Sequence, residues 1–173
     1  MKRALPLLAL GALCAAMLAT TSSGAPTKRT LIIFSVAEQE QFTNHQDDRI
    51  RGGSKNPFGN FNDVTASTKT GAGPFPGDQA VFSFNLYADP LLRRRVGTAS
   101  FTCQYNFAKN AFCDASFQLP RSSTLIANGS FNFESSRFTL AVIGGAGTYL
   151  SASGVLTETP TSNHAQRLVF DLT

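Results

Sequence analysis

Two carboxylates stand two residues apart near the start of the chain, Glu38 and Glu40 of Val36-Ala-Glu-Gln-Glu40. In an extended strand alternate side chains share a face, so the pair lies roughly 6–7 Å apart on one side. Ile32, Phe34, Val36 and Phe42 fall on that same side. Turned toward an enclosed interior, this face puts two acids beside apolar groups. Desolvation and mutual repulsion then raise at least one pKa, which suits a carboxyl to general acid or base work. Phe34 and Val36 would line the same space. Turned toward water, the strand end carries two ordinary solvated acids. The alternation alone leaves both readings open.

Other chemistries find little support. His45 and His164 lie in polar sequence and are isolated, so no metal site is expected. No Gly-x-Ser-x-Gly, P-loop or His-Glu-x-x-His pattern is present, and no cofactor is expected. Arg93, Arg94 and Arg95 follow Pro90 and read as a solvated loop. Asn128-Gly-Ser130 is a glycosylation sequon only in a host that modifies exported proteins.

The elements that must position the acids are strands. Segments 30–41, 80–88, 95–106, 112–119, 124–133, 138–143, 150–159 and 165–172 are rich in Phe, Val, Ile, Leu and Thr, and turn residues separate most of them. Eight strands with mostly short connections make an antiparallel barrel or a sandwich. Residues 44–78 break the pattern. They are rich in Gly, Pro, Asn and Asp and read as a long loop or lid.

One hairpin can be put in register from its cysteines. If Cys103 faces Cys113, Phe101 faces Ala115 and Tyr105 faces Ala111. Phe101, Cys103, Tyr105, Cys113 and Phe117 then share an apolar face, and Thr102, Gln104, Asp114 and Ser116 a polar one. The split supports a disulfide across a half-buried hairpin, with Phe101 and Tyr105 on its inner side.

The leading residues give the compartment. Lys2 and Arg3 precede an apolar run from Leu5 to Ala19, and small residues follow to Ala25. This is the layout of a signal peptide over residues 1–24, and the run is short for a membrane span. A secreted single domain over 25–173 is expected, with Cys103 and Cys113 oxidised in that environment. Without Lys2 and Arg3 the basic excess falls to 13 against 11 acidic residues, far from the footprint of a nucleic-acid binder. No later segment is apolar enough to span a bilayer.

Three segments resemble the allene oxide cyclase and dirigent-type barrel superfamily. Val142-Ile-Gly-Gly-Ala-Gly-Thr-Tyr-Leu-Ser-Ala-Ser-Gly154 is similar to its glycine signature, with Gly144, Gly145 and Gly147 free to take positive φ in a tight turn. Phe84-Asn-Leu-Tyr87 with the basic run and Gly97, preceded by Gly77-Asp78, resembles a second stretch, and Val36-Ala-Glu-Gln-Glu40 the family's first strand. The resemblance implies an all-β, eight-stranded antiparallel barrel of calycin type, around an apolar cavity for a reactive hydrophobic molecule. It matches Glu38 to a cavity glutamate, Asn85 to a cavity asparagine and Cys103 to a cavity cysteine, while Glu40 stands where the plant cyclases have Asn. With Asn85 inward, Val81, Ser83 and Tyr87 are inward too, and Phe82, Phe84 and Leu86 form an apolar outer face that a second copy of the chain would cover. The expected function is a secreted barrel that binds a small hydrophobic molecule and guides its cyclisation or isomerisation. The alternative is a non-catalytic binding or envelope-associated module on the same barrel.

Overall fold

The computed structural model describes residues 28–43 and 74–173. The expected signal peptide over 1–24, and residues 44–73 of the loop expected at 44–78, lie outside the described residues. Eight strands follow in order: β1 Arg29–Thr43, β2 Gln79–Tyr87, β3 Arg95–Tyr105, β4 Asn110–Leu119, β5 Ser123–Asn132, β6 Phe138–Ala146, β7 Gly154–Pro160 and β8 Gln166–Leu172. Each pairs antiparallel with the next, and β8 returns to β1, so the sheet closes into a barrel. Closure removes the unpaired edges that an open sheet would expose.

The hairpin register is the one its cysteines imply. Cys103 pairs with Cys113, Phe101 with Ala115 and Tyr105 with Ala111. The disulfide is formed, with Cα atoms 4.1 Å apart, and both half-cystines face inward at 5% and 0% exposure.

One half of the barrel is filled. Phe117, Phe170, Leu86, Leu125, Leu140, Leu156 and Leu168 are fully buried there. Phe84, Phe101, Phe117 and Phe170 make successive edge-to-face contacts with centroids 5.2, 5.6 and 4.9 Å apart, the arrangement that ring quadrupoles favour.

The parity expected for β2 is reversed. Ala80, Phe82, Phe84 and Leu86 face inward, with Ala80 and Leu86 at 0% exposure, while Val81 is 46% exposed. The reason is the apolar area at stake. Burying two phenylalanines and a leucine outweighs burying Val81, Ser83, Asn85 and Tyr87. The outer face of β2 is therefore not the apolar surface expected for a second copy. The exposed apolar residues Ile32, Ile143 and Val155 belong instead to β1, β6 and β7.

The first strand departs from simple alternation. Ile33 and Ser35 are buried on its inward face, and Phe34 between them is buried on the outer side. A bulge then interrupts the pairing with β2: Ala37 faces Phe84 and Gln39 faces Ser83, so Glu38 is the extra residue. A bulge shifts which side chains reach each face. Beyond it, Glu40 pairs with Phe82 and Phe42 with Ala80, both inward positions on β2.

The glycine signature also works differently from its expected form. β6 runs on to Ala146, and a 3-10 turn at Gly147–Tyr149 delays β7 until Gly154. Of the three glycines only Gly147 has positive φ, +62°. Gly145 is required for space: a Cβ there would meet the carbonyl oxygens of Tyr149 at 2.5 Å and Thr124 at 2.6 Å. Gly144 has open space around it.

Candidate functional site

The other half of the barrel is hollow. A cavity of about 250 Å³ opens at the end where β1 finishes and β2 begins. Its wall is aromatic, built from Phe82, Phe84, Phe101, Tyr105, Phe131, Phe133 and Phe138. Phe131 stacks on Phe138 with centroids 4.0 Å apart, and Tyr105 meets Phe133 edge-on at 5.0 Å. The Cys103 side of the disulfide forms part of the wall. Small-molecule sites span roughly 300–1,000 Å³, so this one suits a compact ligand.

Glu158 is the buried acid of this cavity. It projects inward from β7 between its register partners Phe138 and Leu168, and is 4% exposed. It has no ion-pair or hydrogen-bond partner among the described residues. Burial alone lifts its carboxyl from the ordinary value of 4.5 to about 8, because the charged form is desolvated without compensation. At neutral pH it is a carboxylic acid, able to donate a proton into an aromatic chamber. Gln166 of β8 lines the same wall.

The rim carries a second polar group. Phe42 and Tyr105 meet edge-on at 6.0 Å. Burial raises the Tyr105 phenol above its usual range, and the carboxylates of Glu40 and Asp78 add to the shift. Asp78 is fully buried and accepts the Phe75 N–H at 2.8 Å, while its own carbonyl accepts the Tyr105 N–H at 2.9 Å. Asp78 thus anchors the turn that holds Tyr105 at the mouth.

The residues singled out from sequence divide between cavity, rim and outer surface. Phe101 and Tyr105 line the cavity. Glu40 is exposed at the rim, in register with inward Phe82. Glu38 is exposed at the bulge. Asn85 sits on the outer side between Val36 and Thr98, its Oδ1 buried without a partner among the described residues. Phe34, Val36 and Tyr87 also take outer positions, the consequence of the same parity. Glu158 and Gln166 were missed. Gln166 had a readable signal, because it continues the alternating apolar face of Leu168, Phe170 and Leu172. Glu158 shares a face with Leu156, but Val155 on the opposite face is equally apolar, so the inward side of this strand could not be assigned.

No family model matches the chain, and no curated protein does. Solved structures do. A pyocyanin demethylase superposes with a TM-score of 0.62 at 18% identity, over 84% of this chain and 100% of that one. A pterocarpan synthase dirigent protein gives 0.52 at 13% identity, over 84% and 83%. The fold is that of the dirigent- and cyclase-type barrels. A Diels Alderase from Streptomyces koyangensis has it too, at 0.53 and 14% identity over 87% of this chain and 71% of that one. In this barrel the glycine-rich segment joins β6 to β7. It lies beside Ser123, whose Oγ accepts the Thr148 N–H at 3.0 Å, and so closes the filled end away from the cavity.

Proposed function

We propose that this barrel takes a compact, flat, hydrophobic molecule into its aromatic cavity and guides its cyclisation or isomerisation, with Glu158 as proton donor. The observation that carries the reading is a buried carboxyl with no ion-pair partner among the described residues, facing a wall of aromatic rings. The chemistry needs no oxidant or reductant. Glu158 passes its proton to a carbonyl oxygen or ring nitrogen as electron density moves there, and recovers a proton when the rearranged skeleton loses one. The aromatic wall holds the reactant in a folded shape, so that proximity supplies the rest. The names of the similar structures, among them a demethylase, a dirigent protein and a Diels Alderase, support small conjugated substrates. A leader followed by a disulfide-bridged barrel supports export.

Native mass spectrometry of the protein purified from its own host tests the reading. A small conjugated molecule is expected to remain bound and to leave on denaturation. Presented with the unreacted precursor, Glu158→Gln should bind it but turn it over roughly 10²–10⁴-fold more slowly. A variant with full turnover removes Glu158 from the chemistry. A molecule that is bound and released unchanged makes the barrel a carrier.

A further inference from the structure

The polar groups of the cavity lie together on one side. On β7 and β8, Glu158 faces Leu168 and Pro160 faces Gln166. Glu158 and Gln166 are therefore diagonal neighbours on the inner face, within reach of each other's long side chains. One strand further, Ser35 of β1 pairs with Gln166 and is 2% exposed. A polar strip thus crosses three adjacent strands, while Phe82, Phe84 and Phe101 occupy β2 and β3 beyond it.

Within this strip the Gln166 Oε1 is buried and accepts no hydrogen bond among the described residues. A buried acceptor without a donor destabilises the fold that contains it. Gln166 also stands on the face otherwise occupied by Leu168, Phe170 and Leu172, where an apolar residue would pack without that loss. This acceptor stands on the strand next to Glu158, the buried acid of the cavity among the described residues, which donates a proton. The wall therefore offers an acceptor and a donor from diagonal positions on neighbouring strands. Its complement is a molecule with a donor and an acceptor adjacent on one edge.

We propose that Gln166 and Glu158 read the polar edge of the ligand, and that the ligand is a flat conjugated molecule carrying a hydrogen-bond donor next to an acceptor, as in a lactam or an enolised hydroxy-carbonyl. The inference rests on the reading of the cavity as a hydrophobic-ligand site and adds the ligand's polar chemistry. It also gives Gln166 a positioning role, turning the ligand's acceptor atom toward Glu158.

Three bicyclic probes test it: naphthalene, quinoline and quinolin-2-one. They share a skeleton and differ in having no polar edge, an acceptor only, or an acceptor beside a donor. Each is titrated into the full chain and followed by its own fluorescence, which the absence of tryptophan leaves unobscured. Quinolin-2-one is expected to bind about tenfold tighter than naphthalene, the scale of one to two buried hydrogen bonds. Gln166→Met, similar in volume and unable to accept strongly, should lose that gain while naphthalene affinity stays the same. Its thermal midpoint should not fall, because the substitution removes an unmet acceptor. A glutamine with only a structural role would lower it. Equal affinities for quinolin-2-one and naphthalene, or a preference that survives Gln166→Met, overturn the proposal. If naphthalene binds and quinolin-2-one gains nothing, the cavity reading stands and this inference alone falls. If no probe binds, both fall.

Discussion

Replacing Glu158 by Gln should flatten the pH dependence of stability. In the fold the carboxyl titrates at about 8, and its ordinary value is 4.5. Between those values the unfolded chain has released the proton and the folded chain has kept it. The folded state then binds more protons, so stability falls as pH rises, and the fall levels off above the folded value. The limiting slope is about 1.4 kcal/mol per pH unit. Integrated from pH 5 to pH 8 the loss is roughly 3.5 kcal/mol, and water entering the open end of the cavity reduces it. Gln cannot ionise. Whatever a buried amide costs at that position is the same at every pH and drops out of the slope. The assay is urea unfolding of both proteins at pH 5, 6, 7, 8 and 9, read as the difference between them. All other titrating groups are common to the two chains and cancel. Glu158→Gln should gain on the parent by at least about half the integrated value across this window. A difference that stays flat from pH 5 to pH 8 would refute the claim that the fold holds this acid protonated. The same titration bears on chemistry, because a proton donor is lost above pH 8 and turnover should decline there.

Three further outcomes follow from the packing. Replacing both Cys103 and Cys113 by Ala should lower stability by about 2–3 kcal/mol, the value for a cross-link closing so short a loop, measured by denaturant unfolding. Gly145→Ala should destabilise by more than about 2 kcal/mol, because its Cβ would press on two backbone carbonyls. Gly144→Ala, with open space around it, should stay within about 0.5 kcal/mol of the parent, so equal effects at the two glycines would show that the turn is drawn wrongly. Phe117→Ala, in the filled half, should cost about 3–5 kcal/mol. Phe131→Ala, on the cavity wall, should cost clearly less in the same melt while weakening probe binding.

The barrel itself was legible because its signals are local. Strand residues alternate over runs of seven positions in β7 and ten in β4, and cysteines ten apart fix a hairpin register. The glycine signature then distinguished a closed barrel from a sandwich, which alternation could not. The site was less legible because it depends on which face of each strand is inward, and that is a decision of the whole barrel. For β2 the resemblance placed Asn85 inward and carried its neighbours with it. The packing of Phe82, Phe84 and Leu86 decides the opposite.

Glu38 and Glu40 show where a strand reading must fail. Alternation assigns them to one face, and this holds only while every residue has a partner across the ladder. The single extra residue at Glu38 changes the count. Upstream of it, Ile33 and Ser35 are inward; downstream, the inward register belongs to Glu40 and Phe42. Odd-numbered positions face in before the bulge and even-numbered ones after it, which no uniform period can describe. The bulge thus lets one strand contribute Ile33 to the filled half and an acid to the rim of the hollow half. The acid that the cavity encloses comes from β7 instead, seven residues that alternate without interruption. There the inward face of Leu156 carries Glu158 inside with no bulge to redirect it, and no ion pair or hydrogen bond among the described residues meets its carboxyl.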